Sequence, residues 1–183
     1  MNNFLTRTFL QRHGLLLTLL GSAFILLAAV AYEKLTGLLP CPLCWLQRGV
    51  FVGFFLLSLC ALLLSRLTTL TTTVTTAAHW LFIAAFALVT AAGIGIAIRH
   101  LYIKLNPSSV GCGLDVETML NFFPLTEALT QMLVGSSDCA QAANLMGLPL
   151  PVWSLTGYLV LGSLAIFSLI KTPCSFNFVS ARR

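Results

Sequence analysis

Charge is what this chain most conspicuously lacks. Of 183 residues only 8% are charged, and the acids number five. An ordinary soluble domain carries about 25% charged residues. So few charges cannot cover a water-facing surface, which argues against a soluble enzyme. No cluster of lysine and arginine interleaved with aromatics exists to follow a phosphate backbone, so the net charge of +5 does not point to nucleic acid. No nucleotide, haem or phosphate motif is evident either.

What is abundant is apolar surface. Hydrophobic residues make up 58% of the chain, and its mean hydropathy is +0.95. Long apolar runs occur four times, at about 14–32, 49–65, 79–98 and 152–170. Each approaches the ~20 residues a helix needs to cross a bilayer core. Backbone groups in lipid must satisfy one another, so these runs should be helices. The fold class expected is an all-α membrane protein: a four-transmembrane-helix bundle forming a single integral membrane domain over 1–183.

Four spans put both termini on one side. That side holds Arg7, Arg12, Arg66, Lys171, Arg182 and Arg183. The other holds Lys34, Arg48, Arg99 and Lys104, together with all five acids: Glu33, Asp115, Glu117, Glu127 and Asp138. The excess of basic residues makes the termini cytoplasmic. In a bacterial inner membrane the two loops between spans, about 33–48 and 99–151, would then be periplasmic. The first run ends in an A-x-A-like site at Ala29 and Ala31, but it exceeds the roughly 7–15 apolar residues of a signal peptide. It reads as an uncleaved span.

The second loop contains "LDVETMLNFFPLTEALTQML", with Met119, Leu120 and Phe123 before Pro124 and Leu125, Leu129 and Met132 after it. The spacing predicts two short amphipathic helices broken at the proline. Such pieces would lie on the membrane interface or pack on the end of the bundle.

Six cysteines are present. Cys60 sits among leucines in the second run and reads as a small buried apolar residue. Cys174 lies in the cytoplasmic tail. Cys41, Cys44, Cys112 and Cys139 all fall on the oxidising side, where disulfides persist. Their spacing leaves more than one pairing open. A staple between Cys41 and Cys44 would constrain little of the unfolded chain, because stabilisation grows with loop length. That pair calls for a chemical reason. Cys44 falls at the expected N-terminus of the second helix, where partial positive charge favours a thiolate. Arg48 follows at i+4 on the same face. A lipid-soluble electron acceptor such as a quinone could meet a thiolate at that depth, with Arg48 stabilising the negative charge that develops on its oxygen.

Taken in order, "PCPLCWLQR" before the second span, Cys112 early in the second loop, and "GSSDCAQAANLMGLPLPVWSLTGY" leading into the last span resemble the bacterial disulfide bond formation protein B (DsbB) family. The resemblance covers nearly the whole chain. It implies a membrane thiol:quinone oxidoreductase that reoxidises a periplasmic DsbA-type thiol oxidase, with ubiquinone or menaquinone as acceptor. Cys41, Cys44, Cys112 and Cys139 would be catalytic and Arg48 would bind the quinone. In that scheme the partner attacks Cys112, the Cys112–Cys139 pair becomes reduced, and electrons pass to Cys41–Cys44 through a transient Cys41–Cys139 bond. Two features depart from the pattern. Gln47 stands where some relatives have an acid. His100 falls near a position where some relatives carry a quinone-proximal histidine, but the register needs a gap, and its plain reading is an interfacial histidine.

Three other classes fit the sequence less well. Four thiolates might bind zinc, but Cys112 and Cys139 do not form a second C-x-x-C knuckle and the surroundings are oxidising. A purely structural scaffold would not turn over. A vitamin K epoxide reductase-like protein would place its membrane-adjacent C-x-x-C after the loop pair, whereas here it comes first.

Overall fold

The four apolar runs are helices, and the first three continue past the point where apolar sequence gives out. The computed structural model describes residues 2–37, 40–67, 72–111, 114, 116–141, 144–145 and 147–170. Cys112, Cys174, Asp115, Lys171, Arg182 and Arg183 lie outside the described residues. The long helices are α1 (Asn2–Thr36), α2 (Pro42–Leu67), α3 (Thr72–Leu105) and α7 (Leu150–Ile170). Their stretches long and apolar enough to cross a membrane are Arg12–Thr36, Pro42–Ser65, Ala77–Leu105 and Leu150–Ile170.

The helix ends differ from the apolar boundaries. The expected first loop is largely helical, because α1 ends at Thr36 and α2 begins at Pro42. Arg99, His100 and Lys104 belong to α3 rather than to the second loop. Hydropathy marks where lipid ends, whereas the hydrogen-bond ladder continues until a cap or breaker stops it.

The bundle is a closed ring: α1 packs on α2 and α7, and α3 packs on α2 and α7. Its centre is aromatic. The rings of Phe51 and Tyr158 stand 4.6 Å apart, and Phe54 stacks on Phe86 at 6.2 Å. Leu15, Leu161, Ala165 and Leu169 complete this core. Large apolar side chains such as Leu20, Phe24, Leu81, Leu88 and Phe167 point outward, as a lipid-facing surface requires. Helices gain no hydrophobic drive for association in lipid, so close backbone approach at small residues matters. A Cβ at Gly93 would lie 2.8 Å from Val50 Cγ1 and 3.0 Å from the Tyr158 ring.

The second loop caps one end of the ring. After a short 3-10 turn at Pro107–Ser109 come α4 (Val116–Phe122), α5 (Leu125–Val134) and α6 (Ser137–Ala140). Pro124 separates α4 from α5, as its fixed φ and missing N–H require. Met119, Ala128 and Met132 are buried together, with Leu46 of α2 packed against them. The pair therefore sits on the bundle end through one face. Its other face exposes Leu120, Phe122, Leu125 and Leu129. A two-stranded hairpin, β1 (Asn144–Leu145) and β2 (Leu148–Pro149), leads into α7. Gly147 turns it at φ +81°, a conformation glycine adopts without steric cost.

Candidate functional site

The site forms where α2 begins. Pro42 is the first helical residue, a position that suits its missing N–H and fixed φ. Cys41 therefore falls at the cap. Its Sγ accepts the Cys44 backbone N–H at 3.4 Å, and its carbonyl accepts that of Trp45 at 3.2 Å. One turn of helix thus aims both sulfurs the same way, and the Sγ atoms of Cys41 and Cys44 are 2.8 Å apart.

The short helix α6 brings a third sulfur. Cys139 is fully buried and packs with Cys41, Leu43 and Ile103. Its turn is fixed by the backbone bond from Cys139 N–H to Ser136 O at 3.0 Å. A second bond, from Ser137 N–H to Gly111 O at 3.1 Å, ties α6 to the segment immediately preceding Cys112 in sequence. Cys41, Cys44, Cys60 and Cys139 are all free thiols. Cys60 is exposed on the outer face of α2, not buried as the leucines around it suggested. That outward face of a membrane-spanning helix is still apolar surroundings.

His100 departs most from expectation. It is not an interfacial histidine but a fully buried one. Its Nε2 lies 3.9 Å from Cys41 Sγ and 3.2 Å from the carbonyl oxygen of Cys139. Its Nδ1 lies 3.3 Å from the side-chain amide of Gln47. Ser154 Oγ donates to Gln47 Oε1 at 3.2 Å, and the Tyr158 hydroxyl donates to Gln47 O at 2.9 Å. A polar chain therefore runs from α7 through Gln47 and His100 to the cysteines. Sequence reasoning missed Ser154 and Tyr158. Their only advance signal was polar residues inside an apolar run, and these also occur as lone helix-backbone bonders.

Arg48, one turn after Cys44, is held against α1. Its Nη1 donates to Glu33 Oε2 at 2.6 Å, and its Nη2 donates to Ala29 O at 3.4 Å. Sequence reasoning had placed Glu33 with the acids of the same side but gave it no partner. A guanidinium has five donors, so one held by two acceptors can still meet a third. The cationic group lies four residues after Cys44 along α2.

The thiols outside the membrane-spanning stretches are unequal. Cys139 is pulled down to about 6, mainly by the hydrogen bond from the Cys41 thiol, and further by backbone N–H groups of Ser136 and Leu43 and the Ser136 hydroxyl; burial opposes this. Cys41 is pushed up, because its thiol donates to Cys139 and Cys44 and is buried. The anion therefore resides on Cys139 and the proton on Cys41. A thiolate in contact with one sulfur of a C-x-x-C pair is the arrangement thiol–disulfide exchange needs.

Comparison with known proteins decides the family. Residues 11–168 match the family model described as "Disulfide bond formation protein DsbB". The chain belongs to the DsbB family. A curated DsbB relative from Alkalilimnicola ehrlichii, "Disulfide bond formation protein B", is 40% identical over 161 residues, covering 88% of this chain and 94% of that one. Those from Herminiimonas arsenicoxydans and Stutzerimonas stutzeri are 35% and 30% identical, covering 78% and 83% of this chain and 84% and 90% of theirs. No solved structure matches the chain. DsbB membership makes this a membrane thiol–disulfide redox protein, which agrees with free, close-set cysteines at the end of a four-helix bundle.

Proposed function

We propose that the protein reoxidises a periplasmic DsbA-type dithiol oxidase and passes the electrons to ubiquinone or menaquinone in the bacterial inner membrane. On this reading both termini are cytoplasmic and α4–α6 face the periplasm. The observation that carries it is the buried contact of Cys139 with Cys41 at the cap of α2.

The steps follow from the chain's own groups. A thiolate of the reduced partner attacks Cys112 of a Cys112–Cys139 disulfide, and Cys139 leaves as the thiolate its surroundings favour. The bond from Ser137 N–H to Gly111 O supports this pairing, because it joins the chain just before Cys112 to the turn carrying Cys139. Cys139 then attacks Cys41 of a Cys41–Cys44 disulfide. A Cys41–Cys139 bond forms, and Cys44 is released as a thiolate. The partner's second thiol resolves its bond to Cys112, leaving the partner oxidised. Cys44 sits at the N-terminal turn of α2 with Arg48 on the same face, and both groups favour negative charge there. A quinone bound beside Arg48 would supply the terminal two-electron acceptor.

The test mixes purified protein, a reduced DsbA-type dithiol and ubiquinone, with menaquinone in parallel, and follows quinone reduction by absorbance. Catalytic reduction that disappears in Cys44→Ser is expected. No reduction of either quinone, with the cysteine pairs oxidised at the start, would overturn the reading.

A further inference from the structure

Three separate elements deliver soft donor atoms to one buried point. Cys41 comes from the cap of α2, His100 from α3 and Cys139 from α6. Their two Sγ atoms and an imidazole nitrogen all lie within 4.8 Å of one another. Cys44 Sγ is 2.8 Å from that of Cys41 and supplies a possible fourth ligand. Around tetrahedral zinc, sulfur sits ~2.3 Å and nitrogen ~2.0–2.1 Å from the metal. At the tetrahedral angle two such sulfurs stand about 3.8 Å apart and a sulfur and a nitrogen about 3.5 Å, so the widest pair of the cluster would close by about 1 Å around an ion, and the Cys41 and Cys44 sulfurs would open by about as much. Cys41, His100 and Cys139 are all buried, so a cation among them would exchange its hydration shell for protein donors.

The surroundings of His100 match a ligand's needs. A metal-bound imidazole usually gives its other N–H to an acceptor that fixes its tautomer. Gln47 lies 3.3 Å from His100 Nδ1 and is itself held by Ser154. Rotating the Gln47 amide by half a turn presents Oε1 to an Nδ1–H and frees the Nε2 lone pair for the metal, and the Cys139 carbonyl, 3.2 Å from Nε2, then gives up that N–H. Four thiolates made a poor zinc site in the sequence because Cys112 and Cys139 form no second knuckle. The folded chain offers a different set, with His100 in place of Cys112.

We propose that the reduced protein carries a Zn2+ site built from Cys41, His100 and Cys139 and completed by Cys44. Binding releases a proton from each ligand thiol still protonated and moves no electrons. Oxidation of either pair removes sulfur donors, so the site exists only in the reduced form. The inference goes beyond the proposed function and needs neither quinone nor partner.

The test uses the full chain in detergent, reduced with a phosphine and freed of reductant without air. Zn2+ is titrated against a chromophoric chelator. One Zn2+ per reduced chain is expected, with none bound by the oxidised chain, a comparison that needs no variant. His100→Ala and Cys139→Ser each lower affinity at least about tenfold, and Gln47→Leu by about tenfold through loss of the supporting bond. Cys60→Ser binds as wild type. Equal binding by oxidised and reduced protein would overturn the proposal, as would wild-type affinity in both His100→Ala and Cys139→Ser. Quinone reduction assayed without metal reports on the proposed function separately. Turnover without any Zn2+ binding sinks only the zinc site, and Zn2+ binding without turnover sinks only the redox reading.

Discussion

Arg48 on α2 donates to Glu33 on α1 at 2.6 Å, and both side chains keep some exposure, 21% and 28%. The pair clamps the guanidinium against the last turns of α1. A partly exposed pair is worth at most ~1 kcal/mol, so the role of Glu33 is orientation more than stability. Glu33→Gln should raise KM for quinone by less than about tenfold, the factor corresponding to ~1.4 kcal/mol. Arg48→Ala removes the donor itself and should cost about 10²-fold in kcat/KM. Steady-state kinetics at varied quinone distinguishes them, and equal losses in both variants would contradict this division.

The acidity of Cys139 sets a pH dependence. Its thiol is pulled down to about 6, so the thiolate fraction rises as pH climbs through about 6 and is nearly complete by neutrality. The Cys41 thiol, the largest cause of that shift, is absent once Cys41 is disulfide-bonded, but the Ser136 and Leu43 donors remain, so transfer from Cys139 to Cys41 should level off at lower pH than transfer from an ordinary thiol. An unperturbed thiol, at about 8.5, would still be accelerating at neutrality. Ser136→Ala removes one stabilising hydroxyl and should move the plateau to higher pH. Quenched-flow trapping with mass mapping of the Cys41–Cys139 bond reads both profiles.

Tyr158 combines ring packing with a single polar duty. Tyr158→Phe keeps the stacking on Phe51 and Phe54 but leaves Gln47 O without its 2.9 Å donor. Loss of that bond should lower stability by about 1 kcal/mol, seen as a lower Tm in detergent.

Helix contacts at small residues give a paired test. Gly93→Ala drives a Cβ into Val50 and Tyr158, whereas the space around Gly95 is open within 4 Å. The first should destabilise by ~1–3 kcal/mol. Gly95→Ala should be neutral or stabilising, since alanine is the better helix former. Thermal unfolding of the two variants side by side checks the contrast.

The parts legible in the sequence were those decided locally. Hydropathy alone reveals four spans, Pro124 alone reveals the break between α4 and α5, and Cys44 falls in the first turn of α2 as expected. The parts that were not legible depend on chain distant in sequence. His100 looked interfacial because it ends an apolar run, and it is packed by Cys41 and Gln47 at the start of α2 and by Cys139 of α6, 39 to 59 residues away in sequence. Arg48 and Glu33 are 15 residues apart with a helix end between them. Nothing local to either residue signals the pairing. Cys112 lies outside the described residues, so its part in the site rests on the family resemblance and on its neighbour Gly111.

The backbone bond between Gly111 and Ser137 has a kinetic consequence. Together with the packing of α6 on α2 and α3, it holds Cys139 against Cys41 by non-covalent means. In the relay proposed above, cutting a covalent link to Cys112 would leave those restraints in place. Cys139 then meets Cys41 as a tethered reactant, and well-oriented intramolecular groups reach effective concentrations of about 10⁵–10⁸ M. Free thiols diffusing outside the membrane cannot match that local excess. The relay is thereby insulated from bystander reductants by geometry, without a lid to close over it.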